Sequence, residues 1–221
     1  MTRKPKEDVK QKILATAEKL FARQGFDATG IDQIAKTAGI TKSLIYYYFK
    51  SKDEILSELF QIFVTKSIKL KLQISDMTWA SDSEHDVENI LKNNILPFLI
   101  SQKDFIKIAF TESVKETTSS PHINIFQYIN QNFRASFEHA KEHGVELDED
   151  KTNIASFFLF WTPLLSFVIF HDEWSDYYKI DLKRITDLFI SAYLSMYKSL
   201  VGFKPERSSQ TDLSSILKQK K

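Results

Sequence analysis

Apolar residues recur at helical spacing along almost the whole chain, and no Asn-Gly or Asp-Gly hairpin signal interrupts them. Val9, Ile13, Ala17, Leu20 and Phe21 make the stripe of a first helix over about 7–24, with Gly25 as its stop. Ile31, Ile34, Ala35 and Ala38 make a second, shorter stripe. Gly39 follows, where a sharp helix end needs a residue tolerant of positive φ. Ile40 reads as a buried turn residue, and Thr41 as the cap of a third helix over 42–48. Ser51 and Glu54 form an S-x-x-E capping box that opens a fourth helix carrying Ile55, Leu59, Ile62 and Phe63 toward Leu72. The polar stretch 75–84 is expected to be a loop. A fifth helix over 84–101 buries Val87, Ile90, Leu91, Ile95, Phe98 and Leu99, and Pro97 should kink or break it. A sixth, 103–114, turns Phe105, Ile106, Ala109 and Phe110 inward. After a loop at 116–119, Ser120 and Pro121 cap a seventh helix that reaches His143 and stops at Gly144. The eighth, 148–171, contains FFLFWTPLLSFVIF and is apolar nearly all round. Asp181 caps a ninth that ends near Val201. The expectation is an all-α chain of about nine helices: a three-helix N-terminal unit over 1–52, a larger helical unit over 53–203, and a polar, disordered tail over 204–221.

Residues 25–53 carry most of the functional signal. Two short helices joined by a tight turn, the second crowded with tyrosines, have the layout of a helix-turn-helix whose second helix enters the DNA major groove. The spacing is specific: Phe21 and Gly25, then Thr29, Ile34 and Ala35, then Ala38, Gly39, Ile40, Thr41, Lys42, Ile45, Tyr46, Tyr48, Phe49, Ser51 and Lys52. This succession resembles the DNA-binding domain of the TetR/AcrR family of transcriptional repressors, over roughly the first quarter of the chain. Three positions depart from the family pattern. Gly30 stands for the usual Ser or Thr, so the second helix is capped by Thr29 or by a bare glycine. Ser43 and Leu44 replace small residues in the recognition helix, which bears on the DNA sequence preferred.

The DNA-binding residues expected are Thr29, Thr41, Lys42, Ser43, Tyr46, Tyr47 and Lys52. Lys42 opens the recognition helix, where side chains reach base edges and phosphates. The Ser43 hydroxyl suits either, and Tyr46 and Tyr47 project rigid rings with a donor at the tip. Lys52 can pair a phosphate beside a helix N-terminus, and Thr29 can do so from the other side of the groove. The resemblance favours Thr29, Lys42, Tyr47 and Lys52. Packing is the plainer role for Tyr48 and Phe49, and Tyr46 stands between packing and contact.

Net charge is only +1, but its distribution is uneven. Residues 1–52 carry eleven Lys and Arg against five acids, so a basic head sits on an acidic body. That points to a polyanion at one end only. The chain contains no cysteine, which excludes disulfides and thiolate sites. The N-terminus lacks the apolar core of a secretory signal, and the apolar run 157–170 is shorter than the ~20 residues of a membrane span. A cytoplasmic protein with no membrane association is expected.

Fifteen of the eighteen Phe and all three Trp lie beyond residue 59. Most are needed as core, but a helix apolar on every side needs burial on more than one. A partner subunit would supply it, so a homodimer is expected through Leu164, Phe167, Val168, His171, Leu188, Ser191 and Ser195. The resemblance implies the same: a four-helix bundle from the last two helices of each subunit, presenting two recognition helices to a pseudopalindromic operator. It also implies a small-molecule effector among helices five to eight. Phe98, Gln102, Phe105, Phe110, Phe126, Phe133 and Trp161 are the candidates, with Tyr128, Asn130 and His122 as further polar groups, and a hydrophobic or aromatic ligand is expected.

No cofactor is implied. The chain lacks H-E-x-x-H, G-x-S-x-G, P-loop and G-x-G-x-x-G motifs, so no enzyme is expected. His139 and His143 lie at i and i+4, a spacing that could hold a metal, but at the end of a helix the dipole also favours His. The alternatives are an effector-independent DNA-binding or protein-interaction regulator and, more remotely, a metal-dependent helical enzyme.

Overall fold

A computed structural model describes residues 6–78, 84–115 and 148–201. The described residues form eight helical runs and no strand. They are α1 (Lys6–Gln24), α2 (Ile31–Ala38), α3 (Lys42–Tyr48), α4 (Lys52–Thr78), α5 (the continuous run Glu84–Ile90, Leu91–Ile95 and Leu96–Ser101), α6 (Lys103–Ser113), α7 (Glu149–Tyr178) and α8 (Leu182–Val201). The expected seventh helix over 120–143 and the tail from Lys204 lie outside the described residues.

The first three helices close around Ile13, Leu14, Ala17 and Phe21 of α1, Ile34, Ala35 and Ala38 of α2, and Ile45 of α3. Phe49 seals the base of this unit at the α3–α4 junction, fully buried as the sequence suggests, while Tyr48 is half-buried. Burying a side chain of that size removes enough apolar surface from water to contribute about 2–3 kcal/mol. The turn between α2 and α3 follows from Gly39, whose φ of 63° lets Ile40 N–H reach Ala35 O at 3.0 Å and its own N–H reach Lys36 O at 3.2 Å. A side chain there would sit in a strained left-handed conformation. Thr41 Oγ1 accepts the Leu44 N–H and starts α3 as expected. Gly30 is a bare N-cap for α2. At α4 the Ser51 hydroxyl caps the Glu54 N–H, but the Glu54 carboxylate takes the Lys50 N–H, one residue earlier than in a standard capping box.

α4 leads out of this unit and α6 packs back on α1, so α1 touches both the small unit and the larger one. The larger unit's core is formed by Leu91, Leu96 and Leu99 of α5, Phe105, Ile106, Ile108 and Ala109 of α6, Leu164, Leu165 and Val168 of α7, and Ile190, Tyr193 and Leu194 of α8.

Three expectations change. Residues 75–78 continue α4 instead of opening a loop, since Ser75, Asp76, Met77 and Thr78 include no helix breaker. α7 runs on past His171 to Tyr178, where Lys179 at φ 56° ends it; neither Gly nor Pro intervenes. Pro97 does not break α5. A π turn over Leu91–Ile95 precedes it, with the Leu96 N–H bonded to Leu91 O. The same device precedes Pro163 in α7: the Thr162 N–H and hydroxyl both meet Phe157 O, the latter at 2.7 Å. One extra residue in the turn displaces the carbonyl that the proline ring would strike, so each helix continues.

α7 is 30 residues long and apolar enough to span a bilayer by length and composition alone. Its Leu164, Leu165, Val168 and His171 stripe is instead buried against the protein, where the helix packs on α5, α6 and α8. One face of the helix is thus a core face.

Candidate nucleic-acid interface

α3 is held from beneath by Ile45 and presents its other side outward. Tyr46 is 48% exposed and Tyr47 63%, large values for aromatic side chains on a helix of seven residues. The Tyr47 ring leans edge-on against Tyr48 at 5.1 Å, which limits its freedom. Lys42 and Ser43 are exposed at the helix start, and Ser43 Oγ lies 3.0 Å from Thr41 Oγ1. The Lys42 ammonium is paired with Asp32 of α2. Its hydrogen bond to that carboxylate raises the Lys42 pKa. Thr41, Lys42, Ser43, Tyr46 and Tyr47 thus share one rigid, outward surface.

Two expected members of this surface do other work. Thr29 is fully buried: its hydroxyl donates to Gly25 O at 2.8 Å and accepts from Gln24 Nε2 at 3.1 Å. A phosphate contact by that hydroxyl is therefore corrected to a loop-closing role, because the loop between α1 and α2 turns Thr29 inward. Lys52 is half-buried and donates to Phe26 O at 2.7 Å, with its ammonium 4.2 Å from the centre of the Phe26 ring. It ties the same loop to the start of α4. A reciprocal pair of amides, Gln24 and Gln33, closes the other flank at 2.7 and 2.9 Å. These ties were not legible beforehand, since they join residues of ordinary type across a fold.

The head is also fastened to the body. Lys115, just beyond α6, pairs with Asp27 of the α1–α2 loop at 2.7 Å and with Glu112 at 2.6 Å. The bond from Lys115 holds the Asp27 carboxyl below its ordinary pKa.

The proposed effector residues divide. Phe105 is a core residue wedged against Phe63 at 4.7 Å and Phe60 at 6.2 Å, so its assignment as a ligand contact is corrected. Phe98 stacks on Phe63 at 6.1 Å, and Phe110 is half-buried against the same core. Gln102 lies at the α5–α6 joint and accepts a hydrogen bond from Lys66 at 3.1 Å. Trp161 packs edge-on against Phe160 at 5.2 Å, and its buried Nε1–H has no hydrogen-bond partner among the described residues. Phe126, Phe133, His122, Tyr128 and Asn130 lie outside the described residues, as do His139 and His143. Among the described residues no group of three His, Asp or Glu side chains is placed to hold a metal.

The dimer candidates divide as well. Leu164, Val168 and His171 are buried within the subunit, and His171 Nδ1 lies 3.0 Å from Val168 O. They cannot meet a second chain without unpacking this one, so those three are corrected to core. Phe167 stacks on Phe189 at 4.0 Å, joining α7 to α8. Leu188, Ser191 and Ser195 are exposed. Beside them α7 exposes a different stripe from the one expected: Leu159, Phe170, Trp174 and Tyr177, the last at 79%.

Residues 13–59 match the profile of "Bacterial regulatory proteins, tetR family". Over 72 residues the chain is 35% identical to the HTH-type transcriptional regulator AcrR of Shigella flexneri, which covers 33% of this chain and 34% of that protein. It is 26% identical over 185 residues to the HTH-type transcriptional regulator YuxN of Bacillus subtilis (strain 168), itself uncharacterized, covering 80% of this chain and 61% of the relative. The chain therefore spans a third to three fifths of the length of these relatives. A crystal structure of a transcriptional regulator of the "TerR/AcrR family" from Aquifex aeolicus VF5 superposes with a TM-score of 0.56 at 22% identity, covering 87% of this chain and 99% of that one, which extends the likeness of fold through the larger unit. These relatives are transcriptional regulators, not enzymes. Residues 13–59 thus carry the N-terminal domain of the TetR family of bacterial regulatory proteins.

Proposed function

We infer that this chain is a sequence-specific, DNA-binding transcriptional repressor that works as a homodimer and leaves its operator when a small effector binds the larger unit. The observation that carries the reading is the outer face of α3, where Lys42, Ser43, Tyr46 and Tyr47 stand together on a helix whose underside is locked by Ile45 and Phe49. A short helix with a cation and hydroxyls at its N-terminal end meets phosphates and base edges at once. Thr41 lies at the edge of this face. Lys52 and Thr29 support it from behind by holding the α1–α2 loop.

Two copies are needed to read a pseudopalindrome. The stripe of Leu159, Phe170, Trp174 and Tyr177 on α7, with Leu188, Ser191 and Ser195 on α8, is the surface proposed to join them. It combines apolar area with small residues that let helices approach closely.

The Trp161 indole supports the effector reading. A buried donor without an acceptor is uncommon, and a ligand acceptor would satisfy it. An apolar or aromatic effector bearing a carbonyl or carboxylate fits this demand, with Phe98 and Phe110 as further apolar candidates. Such a ligand weakens operator binding only by its differential affinity for the two arrangements of the head. Coupling from body to head would run through the packing of α6 on α1 and the Lys115–Asp27 pair.

Selection of bound sequences from random duplexes tests the reading. A pseudopalindromic consensus bound by two chains is expected, followed by release with an acceptor-bearing aromatic compound. No enrichment of any sequence at low salt would overturn it.

A further inference from the structure

Asp32 is the only acid between residues 28 and 52, a stretch that also holds Lys36, Lys42, Lys50 and Lys52. A carboxylate on a surface meant for a polyanion repels it, so the location asks for a reason. The geometry supplies one. Lys42 Nζ lies 2.9 Å from each Asp32 carboxylate oxygen, across the turn that separates α2 from α3. Both side chains are largely exposed, at 49% for Lys42 and 77% for Asp32. An exposed pair of this kind contributes little to folding. What it does change is the availability of the cation at the N-terminal end of the recognition helix.

We propose that Asp32 is a specificity-determining residue, withholding the Lys42 ammonium from arbitrary phosphates and yielding it only where a well-placed acceptor in the preferred sequence competes for it. The inference rests on the DNA-binding reading above. On a random duplex, Lys42 must leave a partner already in bonding contact for a phosphate that no other contact holds in register. On the preferred sequence, Ser43, Tyr46 and Tyr47 fix the helix in the groove, and an acceptor such as a guanine O6/N7 edge then lies within the reach of Lys42. The pair thus lowers non-specific binding more than specific binding, which is how a repulsive element improves discrimination.

The test uses the full chain as wild type, Asp32→Asn, Lys42→Met and the double variant. Each is titrated against a selected duplex and a random duplex of equal length at several salt concentrations. Asp32→Asn is expected to tighten random-duplex binding by about five- to tenfold near 0.1 M salt and to steepen its log–log salt slope by about one unit, the equivalent of one added phosphate contact. Affinity for the selected duplex should change by less than about threefold, so discrimination falls. In the Lys42→Met background the Asp32→Asn effect should disappear, because Asp32 acts through that ammonium. Unchanged random-duplex affinity and slope in Asp32→Asn would overturn the proposal. So would an equal tightening in the Lys42→Met background, which would mark a plain field effect of the lost charge. A wild type that binds neither duplex at low salt would instead overturn the DNA-binding reading itself. Helical content and Tm, measured for each variant, separate these results from misfolding; Asp32→Ser provides a second removal of the carboxylate.

Discussion

Exposed aromatic side chains occur at both ends of this molecule, and their companions differ. On α3, Tyr46 and Tyr47 stand beside Lys42, Ser43 and Thr41, on a basic unit. α7 exposes Phe170, Trp174 and Tyr177, and Leu159 further back along it, while α8 exposes Leu188, Ser191 and Ser195. The same class of side chain suits two different surfaces: hydroxyl-tipped rings beside a lysine suit a phosphate backbone, and broad rings on an apolar helix suit another helix. Exposure alone does not identify a partner; neighbouring charge and size do.

The sharpest way to break this comparison is to move a charge from one surface to the other. Phe170→Glu places a carboxylate in the middle of the α7 stripe. The expected result is a chain that sediments as a monomer and loses operator affinity by about a hundredfold or more, because a central interface residue carries a disproportionate share of association and one recognition helix reads only half a site. Retained dimer mass would remove α7 from the interface. Leu164→Ala probes the opposite side of the same helix. It should cost about 2–5 kcal/mol of subunit stability in denaturant unfolding, since Leu164 is fully enclosed within one chain. A much smaller loss would mean that this stripe is less buried than its packing against α5 and α6 indicates.

On the other surface, Tyr47→Ala should lower operator affinity by about tenfold or more while leaving Tm nearly unchanged, as expected for a ring that stands mostly in solvent. Phe49→Ala, two residues on, should do the reverse at first hand, unfolding the head with a loss of about 3–5 kcal/mol. If Tyr47→Ala proves as destabilising as Phe49→Ala, the outer face of α3 is structural and the contrast fails.

How much of this was readable in the chain depends on the range of the interaction. The helix-turn-helix was legible because its determinants are local: the stripe of Ile34, Ala35 and Ala38, the left-handed Gly39, the Thr41 cap and the inward Phe49 all act within a few residues. The π turns before Pro97 and Pro163 were not, since a proline in a helical pattern signals a break unless the preceding turn widens. The buried stripe of α7 was not legible because the helix is apolar nearly all round. Periodicity cannot then say which side faces its own subunit, and packing by α5, α6 and α8 chose Leu164, Val168 and His171. Thr29 and Lys52 were assigned to DNA by the chemistry of their side chains and by the family resemblance, and only the fold reveals that both also tie down the α1–α2 loop.

The smallest expected effect lies between the two surfaces, where α1 meets α6. Glu18 is partly buried there, and its pKa is raised first by burial and then by the negative charge of Asp104. Lys66 and Lys19 oppose the shift without cancelling it. The sign follows from linkage: a carboxyl whose pKa is higher in the folded state favours folding when protonated, and that advantage is lost as pH rises through the folded value. At pH 7 the ionised Glu18 is therefore a small liability at the junction of head and body. Glu18→Gln should raise Tm slightly at pH 7, and the gain should vanish as the pH falls toward 4.5, where the wild-type carboxyl protonates in place. Solvent screening at this half-exposed position keeps the effect to a degree or two at most. A variant less stable than wild type at pH 7 would show that the ionised carboxylate serves the α1–α6 junction instead, through Lys66 or Lys19.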